Sequence, residues 1–151
     1  MIISLDLLKH SSALRKKKED GKVKIFDPIR KKYIVATPEE SVRQLLTLCL
    51  LEDFAYPKNS ISIEKMLIIN GLRKRFDILI YDENTKPFLI VECKAPNISL
   101  SDDVFRQAAT YNFQLKAPYL VISNGMETYC CKVNYEEETY FFMEALPAYG
   151  I

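Results

Sequence analysis

Two apolar strands interrupted by acid constrain what this chain can fold into more than any other feature. In the stretch FDILIYDENTKPFLIVECKAP, from Phe76 to Pro96, Asp77 breaks the run Phe76, Ile78, Leu79, Ile80, and Glu92 with Lys94 closes the run Phe88, Leu89, Ile90, Val91. Side chains alternate across a strand, so Glu92 and Lys94 share a face. Cys93 then points to the opposite face, where a small thiol is easily buried, and its backbone carbonyl stays beside the carboxylate. Two carboxylates and an amine are therefore expected to converge at one edge of a sheet. Glu92 and Lys94 alone would also fit a solubilising pair at a strand end. Asp77 is harder to dismiss, because a carboxylate buried without a metal, a lysine or backbone donors is costly.

The flanking sequence predicts a mixed α/β domain, a central sheet with helices on both faces. Thr37-Pro38-Glu39-Glu40 is a strong helix start, with Thr37 as cap, Pro38 at the first position and Glu40 closing a capping box. This helix should reach about Asp53 and present Val42, Leu45, Leu46, Cys49 and Leu50 to the sheet. After Tyr56-Pro57, a strand from Ile61 to Ile69 turns at Asn70-Gly71 into a returning strand from Leu72 to Tyr81. Strands as uniformly apolar as these last are covered on both faces. A second helix starts at Ser99 or Ser101 with Asp102 and Asp103 and runs to about Leu115, and its connection to the strand Tyr119 to Ser123 predicts a right-handed parallel crossover. Thr128 to Val133 and Thr139 to Met143 form a final hairpin around an acidic turn.

Hard divalent cations such as magnesium take oxygen ligands, often one or two carboxylates, and keep several waters. Asp77 and Glu92 offer such oxygens, and a lysine two residues beyond can act on a water or on phosphate charge. The order Asp77, fourteen residues, Glu92-Cys93-Lys94 resembles the PD-(D/E)XK nuclease superfamily. Within it, the chain from about Phe26 to Tyr129 is similar to the N-terminal domain of type I restriction enzyme R subunits. The Thr37 to Gln44 helix start, Tyr56-Pro57 with Ile61 and Glu64, and Gln107 with Tyr111, matching the QxxxY element of the RecB-like branch, carry the wider likeness. Phe76 stands where the superfamily name has proline.

The resemblance implies a restriction-endonuclease-like fold and a metal-dependent DNA endonuclease. Asp77, Glu92 and Lys94 would be catalytic. Magnesium, with manganese as substitute, would be held by Asp77, Glu92 and the Cys93 carbonyl, with Glu40 as a further ligand or outer partner; the capping role explains Glu40 equally well. Gln107 and Tyr111, one helical turn apart, would contact nucleic acid or brace Lys94, or else pack on the sheet with the phenol wet. The alternative function is a non-cleaving nucleic-acid or partner-binding module of a larger restriction or repair assembly, with restriction-modification or helicase subunits as partners. A motor subunit would continue into translocase motifs, whereas this chain ends at Ile151, so a stand-alone relative or a fragment is expected.

With 151 residues the chain suits one core domain, assigned to 37–151, preceded by a basic arm at 1–36. Net charge is only +1, yet residues 15–32 hold nine Lys or Arg against three acids, and residues 95–151 hold three against seven. The arm is expected to form one short hairpin, Lys22 to Phe26 with Lys32 to Ala36. Its bases, Lys16, Lys17 and Lys18 with Lys22, Lys24, Arg30, Lys31 and Lys32, either track DNA phosphates or belong to a solvated loop. No apolar run is long enough to span a bilayer and no signal peptide is evident, so the expected location is the cytoplasm. Cys49, Cys93, Cys130 and Cys131 show no zinc spacing and no neighbouring histidine, which predicts reduced core residues, with only one of Cys130 and Cys131 facing the core. The only histidine, His10, precedes the core, which argues against histidine acid-base chemistry.

Overall fold

The alternation of apolar residues along the central strands divides them between two cores, one on each face of a single sheet. A computed structural model describes residues 2–150; Met1 and Ile151, the outermost residues of the two segments expected above, lie outside them. Nine strands and two α-helices follow in order: β1 Lys16–Glu19, β2 Lys22–Asp27, β3 Lys32–Val35, α1 Pro38–Glu52, β4 Ile61–Ile69, β5 Leu72–Tyr81, β6 Pro87–Cys93, α2 Asp102–Leu115, β7 Tyr119–Ser123, β8 Thr128–Asn134 and β9 Thr139–Met143. Strands β4 to β9 form one six-stranded sheet in sequence order, and β1 to β3 a separate three-stranded one. Only β6 and β7, joined through α2, run parallel in the large sheet; its other neighbours are antiparallel. The chain is thus mixed α/β, with a mixed central sheet flanked by helices.

On one face Val42, Leu46, Cys49 and Leu50 of α1 meet Ile78, Ile80, Leu89, Val91 and Val121. On the other, Phe105, Ala108 and Ala109 of α2 meet Phe76, Leu79, Ile90, Leu120 and Ile122. Both faces being dry corrects the expectation for the adjacent cysteines. Cys130 joins the α1 core and Cys131 the α2 core, and both are fully buried. Burial pushes each of these thiols up to about 12, which keeps them protonated and inert.

Local chemistry places the element ends close to where the pattern puts them. Thr37 Oγ1 accepts the Glu40 amide at 3.1 Å, a cap worth about 1 kcal/mol. Asn70 and Gly71 both take positive φ, 51° and 77°, as a tight two-residue hairpin requires. Lys116, at φ 60°, ends α2 in a left-handed cap.

The amino-terminal segment is more built than a single hairpin. The basic run itself becomes a third strand, β1, paired to β2 from Lys16↔Ile25 to Glu19↔Lys22. Arg15 lies over the Phe26 ring and Lys17 over the Tyr33 ring, while Glu19 pairs with both Lys17 and Lys24. Cation-to-ring and ion contacts thus give the basic stretch partners that a loop would lack. Further upstream, Ile3 bridges to Thr128 and, with Leu7, enters the α1 core. No helix among the described residues is long and apolar enough to cross a membrane.

The turn after β7 rests directly on α1. Gly125 has φ +85°, and a Cβ there would approach Val42 Cγ2 to 3.0 Å. Gly125→Ala should therefore lose about 1–2 kcal/mol from the left-handed backbone alone. Urea unfolding of the variant, read as a lowered midpoint with unchanged slope, checks this.

Candidate active site

Asp77 lies where β5 stops behaving as a regular strand. Its register with β4 runs through Ile63↔Ile78 and Lys65↔Phe76, but no pair forms between them, where Glu64 takes φ 51°. Phe76 then enters the α2 core and Ile78 the α1 core, although two residues apart on an even strand would share a face. The β5–β6 ladder also gives out after Ile78↔Val91. Beyond that pair the Cys93 amide donates to Asp77 Oδ2 at 2.8 Å, so a side chain takes over as acceptor where the ladder ends.

These strands are interior to the sheet, which corrects the expectation of a site at its edge. The residues meet where Asp77 interrupts the middle of β5, beside the carboxyl end of β6. Lys94 follows β6 directly and is held by its amide on Ser123 O at 2.8 Å. Glu92 and Lys94 share a face, as the alternation predicts, and line a pocket of about 60 Å³ with Lys74, Gln107 and Tyr111. That is room for a few waters. Cys93 sits on the opposite side, its thiol in the α1 core and raised by burial. Helix α2 therefore delivers Gln107 and Tyr111 to the same pocket as Glu92 and Lys94. The Lys74 ammonium stands 3.4 Å from the Tyr111 ring centroid.

Glu40 is placed differently. Its Oε1 accepts from Arg30 at 2.7 Å and Arg43 at 2.8 Å, and its Oε2 from Gln44 at 3.2 Å. Its carboxylate does not return to the Thr37 amide, which donates to Val35 O, so only half of the capping box forms. Arg43 carries on to Asp77 Oδ1 at 2.8 Å, which links Glu40 to the site through a guanidinium. Arg30 in turn joins Asp27, Glu40 and Glu64, so it is largely consumed by carboxylates, and the expectation of a phosphate-tracking Arg30 is corrected. Around these two guanidinium groups stand five carboxylates, those of Asp27, Glu39, Glu40, Glu64 and Asp77.

Sequence reasoning did not find Arg30 as an ion-pair hub, Arg43, Glu64 or Lys74. Two of them left a signal. Arg43 sits three residues before Leu46 on the core-facing side of α1, an odd place for a charge, and Lys74 alternates with Phe76 toward α2.

The structure also brings the histidine to a cysteine, against expectation. His10 Nε2 lies 2.9 Å from Asp53 Oδ2, and ligand atoms of His10, Cys49 and Asp53 fall within 4.8 Å of one another. Lys9 occupies the other Asp53 oxygen at 3.0 Å. Burial first, then Asp53, raises the Cys49 thiol to about 12. With the Lys9 ammonium at its end, this cluster complements the carboxyl terminus of α1.

Glu92 carries the electrostatic signature of the site. Burial first, and the Asp77 charge second, push its carboxyl from 4.5 up to about 7, against the pull of Lys94 and Lys74. Two half-buried carboxylates in hydrogen-bond reach favour a shared proton or a cation between them. The carboxylate oxygens of Asp77 and Glu92 are the donor type that a hard divalent ion takes. Because the folded chain holds the Glu92 proton more tightly than the unfolded chain, stability falls as pH rises from about 4.5 to about 7. Glu92→Gln removes that contribution. In metal-free buffer its Tm advantage over the parent should be larger at pH 8 than at pH 5; an equal difference at both would mean Glu92 is solvated.

Comparison with known proteins follows the same lines. Residues 38–147 match the family model described as type I restriction enzyme R protein N terminus. Among solved structures, a fragment described as an HsdR subunit of a type I restriction enzyme from Vibrio vulnificus YJ016 superposes with a TM-score of 0.51 at 18% identity, over 73% of this chain and 23% of that one. At that identity the likeness concerns the fold, and the chain spans about a quarter of that structure's length (23%). A comparison with curated proteins gives no match. With the family model covering most of its length, the chain belongs to the type I restriction enzyme R protein N-terminal family.

Proposed function

We propose that this chain is a metal-dependent DNA endonuclease domain of the PD-(D/E)XK type, acting within a restriction-modification assembly. The observation that carries the reading is the apposition of half-buried Glu92 to Asp77, with Lys94 lining the same pocket as Glu92. A structural role would gain nothing from two carboxylates whose ionisation is mutually opposed. Magnesium, or manganese in its place, would supply charge to offset a scissile phosphodiester and acidify a water. Asp77, Glu92 and the Cys93 carbonyl would hold the ion.

Each protein group then has a part. Lys94 orients the water or neutralises phosphate oxygen, which requires charge and reach but no metal bond. Asp77 keeps one oxygen on Arg43 and the other on the Cys93 amide, so its carboxylate is oriented before any ion arrives. Glu40 acts from further out, through Arg43. Gln107 and Tyr111 border the pocket where nucleic acid would pass. Lys16, Lys17, Lys18, Lys31 and Lys32 are exposed and available to phosphates, although Lys17 also pairs with Glu19.

Cleavage and metal binding separate the residues. Lys94→Ala should abolish cleavage of duplex DNA while manganese still binds, as read by isothermal titration. Asp77→Asn should lose both. If purified protein binds manganese and DNA but cuts neither single-stranded, duplex nor branched DNA, the chain is instead a non-cleaving binding module. Cleavage surviving in Lys94→Ala would remove the lysine from the chemistry.

A further inference from the structure

The β4–β5 hairpin projects beyond the candidate site with one face bare. From Asp77 back to Gly71 is six residues, or about 20 Å of strand at roughly 3.3 Å per residue. Between Lys65 and Phe76 the hairpin carries four bases, Lys65, Arg73, Lys74 and Arg75, and no acid. Lys65, Arg73 and Arg75 are exposed and form no ion pair among the described residues. In the amino-terminal sheet, by contrast, Glu19 engages Lys17 and Lys24, and three acids engage Arg30.

Register separates the two faces of the hairpin. Leu67 and Ile69 pack toward α2, with Lys74 opposite Leu67, and Asn70 Nδ2 donates to Gln114 Oε1 at 2.8 Å, tying the tip to that helix. On the other face Met66 lies opposite Arg75 and Ile68 opposite Arg73. Ile68 is 74% exposed. A hydrophobic residue this open, flanked by unneutralised arginines on a braced hairpin, suits a partner that is anionic along its backbone and apolar between its stacked bases.

We infer that the β4–β5 hairpin is the element that seats double-stranded DNA against the site, with Arg73 and Arg75 on backbone phosphates and Ile68 at the groove. The inference rests on the DNA-cleaving reading above. Strand β5 runs from Arg73 straight into Asp77, so phosphates gripped at the hairpin lie at a set distance from the carboxylates. At about 3.4 Å per phosphate along a strand, its 20 Å reach spans about six nucleotides. Apolar side chains inserted at a groove are an established means of fixing a duplex without reading its sequence.

Duplex binding by fluorescence anisotropy, in calcium so that no cutting is required, tests this. Arg73→Gln with Arg75→Gln should weaken binding at least tenfold and flatten the log-log salt slope by about two, at roughly 0.9 for each phosphate no longer neutralised. Ile68→Ser should weaken it without altering the slope. Circular dichroism and manganese affinity should match the parent in both, since Asp77 and Glu92 are untouched. Affinity and slope unchanged by the arginine pair would overturn the proposal and assign the face to a protein partner. So would a loss confined to Lys16, Lys17 and Lys18 replaced together by Gln. A parent chain that binds no duplex sinks both this inference and the DNA-cleaving reading. A parent that binds through the hairpin yet never cuts sinks only the latter.

Discussion

The Asp77 carboxylate ties the start of α1 to the point where the β5–β6 ladder gives out. One oxygen takes the Cys93 amide where the β5–β6 ladder ends, and the other takes the Arg43 guanidinium from α1. Sheet end and helix start are thereby locked in one geometry. Removing one partner of such a buried ionic contact typically costs about 3–5 kcal/mol, because the remaining charge loses its compensation. The same bonds orient the carboxylate toward Glu92, so structural constraint and chemical readiness are two results of one arrangement.

Charge balance around this point is uneven. Arg30 and Arg43 bridge five carboxylates, and Glu92 stands apart from both, compensated only by Lys94 and Lys74 at Coulombic range. The guanidinium groups compensate buried Glu40 and half-buried Asp77 and form no ion pair with Glu92 among the described residues. Arg suits this role because its planar fork can hold several acceptors at once and does not lose its proton. The network also ties the amino-terminal sheet to the site, since Arg30 follows Asp27 at the end of β2 and reaches Glu40 on α1 and Glu64 on β4.

The two-faced sheet explains why the site can be polar at all. Alternating residues of β5, β6, β7 and β8 fill separate cores under α1 and α2, leaving little apolar surface for the strand ends to cover. Glu92 falls on the α2 face just beyond Ile90, where Ala108 leaves space beside Gln107 and Tyr111. Large residues seal the rest of that core, with Phe105 edge-on to Tyr129 and Phe142.

Elements with a local cause were legible in the sequence: the Thr37 cap, the Asn70-Gly71 turn, the apolar runs of β5 to β7, and the placing of Glu92 and Lys94 on one face by a period of two. Gln107 and Tyr111 could be paired for the same reason, through one helical turn. What the tertiary structure alone decided were contacts between distant segments. Arg43 meets Asp77 across 34 residues, Arg30 meets Glu64 across another 34, and His10 meets Asp53 across 43. It also decided that Cys130 and Cys131 are both interior, because that depends on what covers each side of β8 and not on β8 itself. Periodicity fixes which way a side chain points; only the packing of the other elements determines what it finds there.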